Sequence, residues 1–310
     1  MYENTIAQKC DGGLPCPLGI LNNDLTIDLP LGGRATVHAY AIGEETFSDL
    51  NGNGYFDSED FFDDLFDIPE AFIDNNEDGT FGGKDCSDGT DPCSRDNSTG
   101  DEFEEFVDFD GNGSWTTQNG LYNGLLCREE DETAGLCSRQ LVNVFQNQEI
   151  VMSGDAAFFR LVTYADDCSA IAGVTASEVH INSDPASPLV RRSQADPTSQ
   201  QMCQVSEIDL TQTPTGTSSV SLIMYIADMY NNPMPAGTEV SISTDNGEIT
   251  GETSYVFPNT TSFVPVGVSF GIKREPLTGG NDSPSGSLNI SVEAPSGLVS
   301  PFSVSVVDDL

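Results

Sequence analysis

The sequence predicts an all-β protein of two β-sandwich domains, the first interrupted by a long acidic insertion at about 44–132. Three observations carry that expectation. The chain has 310 residues with 30 glycines and 17 prolines, so turns are frequent. Ser, Thr, Val and Ile dominate its later half in short alternating runs, the pattern of strands with one buried face. The acid is concentrated: 27 of the 50 Asp and Glu residues fall between Glu44 and Glu132.

Taken in order, residues 1–20 read as a cysteine-containing arm with a Gly-Gly-Leu-Pro-Cys-Pro turn cluster. The first domain is expected at 21–183. Its strands are Leu25–Leu29 and Arg34–Ala41, then, after the insertion, Gln140–Phe145, Glu149–Met152 and Ala156–Thr163. Pro185, Pro188 and Pro197 among small polar residues mark a linker at 184–202. A second domain follows at 203–310. Its expected strands are Val205–Thr211, Ser218–Asp228, Glu239–Thr244, Glu248–Ile249, Thr260–Ile272, Gly286–Ala294 and Phe302–Val307. Their spacing and turns suit a seven-strand sandwich.

Within the insertion a short sentence is written three times. It reads Glu45-x-Phe47-x-Asp49-x-Asn51-x-Asn53-Gly54-x-Phe56, then Glu70-x-Phe72-x-Asp74-x-Asn76-x-Asp78-Gly79-x-Phe81, then Glu104-x-Phe106-x-Asp108-x-Asp110-x-Asn112-Gly113-x-Trp115. Oxygen-bearing side chains at positions 1, 3 and 5 with glycine at 6 match the ligand spacing of an EF-hand-type calcium loop. Loop one offers Asp49, Asn51 and Asn53, the Tyr55 carbonyl at position 7, Asp57 at 9 and Asp60 at 12. Loop two offers Asp74, Asn76, Asp78 and, at position 12, Asp85. Loop three offers Asp108, Asp110 and Asn112, but Thr116 and Asn119 occupy positions 9 and 12, so a carboxylate from Glu104 or another segment is needed to close it.

Two or three Ca2+ ions are therefore expected. An Asn-Gly pair alone is also hairpin-turn chemistry; three copies flanked by the same Glu-x-Phe and a trailing aromatic are not explained that way. The leading Phe and the trailing aromatic are expected to pack together and staple each loop. Long flanking helices are missing from the pattern, which favours permanent structural sites over a sensor.

The formal net charge of −39 opposes binding to nucleic acid or anionic membranes, and the sequence holds no apolar run long enough to span a bilayer. Eight cysteines favour disulfides in an oxidising compartment. Proximity suggests Cys10–Cys16, Cys86–Cys93, Cys127–Cys137 and Cys168–Cys203. The opening residues lack the basic and apolar regions of a secretory signal, so a processed piece of a longer surface protein is expected. Asn97, Asn259 and Asn289 head glycosylation sequons.

The run from Ile226 to Thr250 contains an Asn-x-Pro-x-Pro-x-Gly-Thr corner at Asn231–Thr238 and an Asn-Gly-x-Ile turn at Asn246–Ile249. It resembles a bacterial Ig-like domain of the invasin/intimin type over about 105 residues. The Gly-x-Ala-Thr strand start that usually follows in that family is missing. The resemblance implies two Ig-like domains in a bacterial surface protein used for display, adhesion or stalk formation.

The expected function is thus a calcium-stabilised extracellular or cell-surface structural protein, not an enzyme. Its expected partners are other copies, joined into a filament by strand addition in one version, or a cell-surface or glycan partner. A carbohydrate-binding module using Trp115 and Tyr122 is the alternative. A glycoside hydrolase is a more distant one, because the best-placed carboxylates already belong to the loops.

Overall fold

The computed structural model describes residues 33–75, 77, 79–82, 104–179, 200–212, 219–230, 232–262, 266–275 and 285–308. The arm at 1–20, the strand expected at Leu25–Leu29, the linker up to residue 199, Asn76, Asp78, Asp85, Asn97 and the Cys10–Cys16 and Cys86–Cys93 pairings lie outside them. The protein is all-β. It divides into two compact units, one of residues 35–150 and one of residues 151–310 together with the chain up to Arg34.

In the larger unit one ten-stranded sheet curls around a main core, with a smaller buried cluster at Val162, Val179 and Met202. Its strands are β5 (Phe158–Ala165), β6 (Val174–Glu178), β7 (Gln201–Asp209), β8 (Ser219–Ala227), β9 (Glu239–Thr244), β10 (Glu248–Gly251), β11 (Ser254–Val256), β12 (Val266–Lys273), β13 (Ser285–Glu293) and β14 (Val299–Val307). The order across the sheet is β10-β12-β8-β5-β7-β14-β13-β9-β11, with β6 on the other edge of β7. Alternation decides which face turns inward. Val220, Leu222, Met224 and Ile226 of β8 enter the core beside Val268, Phe270 and Ile272 of β12; Leu288, Ile290 and Val292 of β13 do the same beside Val240 and Ile242 of β9.

Strand β7 joins the two halves of the curl. Its first residues pair antiparallel with β5, through Gln204 opposite Val162. Its last residues run parallel to β14, through Ile208 opposite Val306. Pro301 lies in β14 where the strand pairs with β13 only, so its missing N–H costs no ladder bond towards β7. Cys168 and Cys203 form a disulfide that fixes the turn after β5 to β7, both sulfurs buried.

The strands expected for a first sandwich are divided. β1 (Arg34–Gly43) and β4 (Val142–Val151) form a two-stranded sheet of their own. β4 is one strand where two short ones are expected; its central Gln146 and Gln148 are exposed and so do not interrupt it. β5 and β6 instead enter the large sheet, because Leu161 and Val174 supply apolar residues to its core. β6 and β11 were not anticipated. The smaller unit also holds β2 (Tyr122–Asn123), β3 (Cys137–Ser138), one helical turn α1 (Glu129–Thr133) and a 3₁₀ turn at Asp64–Phe66. The rest of its described residues are loop, held by side chains and by isolated backbone bridges.

Candidate metal centre

Each loop is built by its own first aspartate. In loop one Asp49 accepts N–H bonds from Gly52 at 2.7 Å and Gly54 at 2.9 Å. Asn51 accepts from Asn53 N–H and Asn53 from Tyr55 N–H. Asp57 then receives the side-chain amides of Asn51 at 3.1 Å and Asn53 at 2.7 Å. Positions 1, 3, 5 and 9 are thereby gathered into one hydrogen-bonded loop. Gly54, Gly79 and Gly113 all have φ near +78°, the left-handed conformation that position 6 needs and that glycine adopts without a Cβ clash.

Asp60 closes loop one. One of its oxygens accepts from Leu50 N–H and the other from Asp57 N–H, so a single carboxylate spans positions 2 and 9. The same lock recurs in loops two and three, but there the carboxylate comes from the other loop. Glu70, which precedes loop two, accepts from Phe109 at 2.8 Å and Thr116 at 2.9 Å, positions 2 and 9 of loop three. Glu104, which precedes loop three, accepts from Asn75 at 2.8 Å and Gly82 at 2.9 Å, positions 2 and 9 of loop two. The carboxylate that loop three needed is Glu70; Glu104 serves its neighbour.

The exchange follows from a short antiparallel bridge. Phe72 faces Phe106, with Ile73 N–H bonded to Glu105 C=O and Val107 N–H to Ala71 C=O. This register sets Glu70 opposite Asp108 and Asp74 opposite Glu104. The aromatic residues close over it. Phe81 stacks on Trp115 at 4.7 Å, and Phe72 touches both rings. The expected stapling within a loop is present in Phe47–Phe56 and Phe72–Phe81. Phe72–Trp115 and Phe81–Phe106 cross between loops as well.

A further loop of this build is split in the sequence. Asp67 accepts from Asn119 and Gly120 N–H, Asn119 accepts from Leu121 N–H, and Gly120 has φ 75°. Glu45 locks Ile68 and Asn123 N–H as the other carboxylates lock positions 2 and 9. Asp67–Ile68 thus act as positions 1 and 2, and Asn119–Asn123 as positions 5 to 9. The signal was present: Asn119-Gly120-Leu121-Tyr122 repeats the second half of the motif. Tyr122 is fully buried against Phe47, Phe56 and Phe62, beside the Cys127–Cys137 disulfide.

Among the described residues, one group of carboxylates brings three oxygens within 4.8 Å of one another: Glu70, Asp108 and Asp110. Asn112 and Thr116 bond to Asp110 beside it. The donors are all oxygen, which fits a hard cation such as Ca2+ and not a soft one. In loop one the amides of Asn51 and Asn53 point their nitrogens at Asp57 while their oxygens accept the Asn53 and Tyr55 N–H bonds. Tyr55 donates its N–H to Asn53, and its ring lies 4.6 Å beneath the Arg128 guanidinium.

Two of these carboxyls are held below the usual range. For Asp57 the main cause is the Glu59 N–H bond, followed by the Asn53 amide; for Asp110 it is the Asn112 N–H bond. Glu45 is pushed up by burial, with the nearby Asp67 charge adding to the effect. Burial, then the Glu44 charge, raises the Tyr122 phenol to about 12. The signs differ. Asp57 and Asp110 contribute stability that is present above the unfolded carboxylate value of about 3.9 and is lost as pH falls through their folded values. Glu45 contributes below its unfolded value and loses that contribution as pH rises through its folded one. Acid titration at millimolar calcium is therefore expected to expose Trp115, the one tryptophan, below about pH 3.9. Unchanged Trp115 emission down to about pH 2 would contradict the role of Asp110.

No family model, curated protein or solved structure matches this chain. The Cys127–Cys137 and Cys168–Cys203 disulfides place it in an oxidising compartment. Among the described residues no helix is long and apolar enough to cross a membrane.

Proposed function

We propose that residues 35–150 are a calcium-set brace in an extracellular structural or adhesive protein, of the kind found on bacterial surfaces. The observation that carries this reading is the oxygen cluster of Glu70, Asp108 and Asp110 inside a loop frame repeated along the segment. Calcium bound there supplies positive charge that the segment's own residues lack. Among the described residues the loops carry no sensor helices, so the ions are structural and fill at extracellular concentrations, with affinities of about 10⁻⁴–10⁻³ M.

The curled sheet of the larger unit supports an Ig-like reading. Within residues 201–308 the first and last strands, β7 and β14, pair in parallel, and Gly237 and Gly247, in the two turns that carry the resemblance, take the left-handed conformation. A role as a sugar-binding module is less favoured. Tyr122 is fully buried, and Trp115 is stacked on Phe81 with its indole N–H bonded to Glu70 C=O. A filament assembled by strand addition is one form of the structural role, since among the described residues no strand pairs with the outer edges of β10 and β11.

The test is equilibrium dialysis of the purified chain against millimolar calcium, followed by sedimentation. Bound calcium at two or more ions per chain is expected. No bound calcium would overturn the brace; a strictly monomeric, calcium-loaded chain at high concentration would overturn the filament form alone.

A further inference from the structure

We propose that β1 is an interface strand whose outer edge pairs with β1 of a second copy of this chain, an inference that deepens the structural reading above by naming its partner. β1 runs for ten residues and pairs with β4; among the described residues no strand takes its other edge. An edge of that length presents a row of unpaired N–H and C=O groups, which monomeric proteins guard with charge, proline or a very short strand. β1 has none of these guards. From Ala35 to Gly43 it holds no charged residue and no proline. Val37, Tyr40 and Ile42 are 48%, 54% and 67% exposed, and Ala39 and Ala41 are exposed between them. Alternation puts Val37 on one face and Tyr40 and Ile42 on the other, so the stretch is bare on both.

The strand is nevertheless held. Thr36 Oγ1 donates to Asp74 C=O at 2.9 Å, His38 Nδ1 lies 2.8 Å from Asn147 Oδ1, and the Phe145 ring of β4 meets Phe72 at 5.7 Å. The open edge is thus a fixed template and not a frayed end. The other open edges are poorer ones. β10 has four residues and begins with Glu248; β11 has three and starts two residues after Glu252.

Charge selects the partner. The chain carries a formal net charge of −39, and 27 of its 50 acidic residues lie in the segment that starts at Glu44, directly after β1. Two copies that meet along that segment oppose carboxylates. Along Val37–Ile42 they oppose none, and like charges directly opposite are what destabilises a strand pair. Antiparallel pairing of β1 with its own copy runs about a two-fold axis, so the contact closes at a dimer. One strand edge is at the small end of specific interfaces, so the dimer is reversible. The net charge resists the approach of two copies, an effect screened beyond about 8 Å at physiological ionic strength. Salt therefore strengthens this contact, where it would weaken an ionic one.

The test is sedimentation velocity of the full chain from micromolar to millimolar concentration, with calcium held at a constant millimolar level. The wild type is expected to pass from monomer to dimer as concentration rises, and more readily at about 0.15 M than at about 0.01 M salt. Ala39→Lys places a guard in the middle of the bare stretch and is expected to weaken the dimer at least about tenfold. Ile42→Lys guards the same edge and replaces it should that variant fail to fold. Ser254→Lys, on β11, is expected to leave the dimer within about twofold. Hydrogen exchange on the same samples reads the edge itself: the outward amides of β1 are expected to slow as the dimer forms.

A chain that stays monomeric at millimolar concentration overturns the pairing, and calcium retained in dialysis then leaves the brace standing. Association kept in both β1 variants and lost in Ser254→Lys overturns it in favour of the large sheet's edges. Association that weakens as salt rises overturns it by showing an ionic contact. Slow exchange of the outward β1 amides in the monomer overturns it too, by showing that another segment of the same chain holds the edge. A dimer lost in Ala39→Lys from a chain that binds no calcium supports the pairing and removes the brace instead.

Discussion

Chelation is expected to open residues 44–132 to protease while residues 201–308 stay folded. The segment from Glu44 to Glu132 holds 27 acidic residues against three basic ones. Its described residues have little regular secondary structure to resist their repulsion: the 3₁₀ turn, the two-residue β2 and one helical turn. Its order rests on carboxylates accepting backbone N–H bonds, as Asp49, Asp60, Asp67, Glu70 and Glu104 do. Such loops place negative charges together, and the proposed cation would offset them. Calcium at roughly tenfold above its dissociation constant adds about 1.4 kcal/mol per site. Loss of two or three sites removes about 3–4 kcal/mol, before the repulsion that returns with the bare carboxylates. Cleavage confined to 44–132, with the curled sheet still melting cooperatively, is the expected result. Protease resistance and melting unchanged by chelator would sink the idea that calcium sets this unit.

The loops were legible because their information is local. Asp at position 1 and Gly at position 6 act within one turn of chain, and the three contiguous copies announce themselves at fixed spacing. The locks were not legible. Glu70 lies 46 residues from Thr116, and Glu45 lies 78 from Asn123. Sequence spacing cannot say which carboxylate crosses to which loop; the Phe72–Phe106 bridge decides it. The split loop escaped for the same reason. Its halves at Asp67 and Asn119 are separated by the paired loops, although the Asn-Gly-x-aromatic half was in view.

The strands show the same division. Alternation located β8, β9 and β13 closely, since each keeps one face in the core. It could not assign β5 to a sheet, because β5 is apolar on both faces: Leu161 enters the main core while Val162 packs with Met202 and Val179. Of the eight cysteines, the two pairings within the described residues follow proximity. That worked because each joins segments already brought together, Cys137 beginning β3 beside β2 and Cys203 lying in β7 beside β5.

Asp228→Asn is expected to destabilise the larger unit by about 3 kcal/mol, on the order of 10 °C in melting temperature for a domain of this size. Asp228 follows β8 and is fully buried. One oxygen accepts N–H bonds from Tyr230 at 2.8 Å and Asn232 at 2.9 Å; the other accepts from Gly154 at 2.9 Å and from the Asn232 side chain at 3.4 Å. Burial pushes the carboxyl up, and these donors act against that. Every polar neighbour named here is a donor. An asparagine can keep one oxygen as acceptor, but its NH2 must then face N–H groups, leaving at least one buried donor unpaired and two donors in opposition. The cost of an unsatisfied buried donor is about 1–3 kcal/mol. The residue also closes the turn from β8 into the Asn232–Thr238 corner and holds Gly154 ahead of β5. Its loss therefore loosens two connections at once. Thermal unfolding followed in the far ultraviolet checks this. A variant that melts within about 2 °C of wild type, an effect of under roughly 1 kcal/mol, would show that the turn holds without its carboxylate.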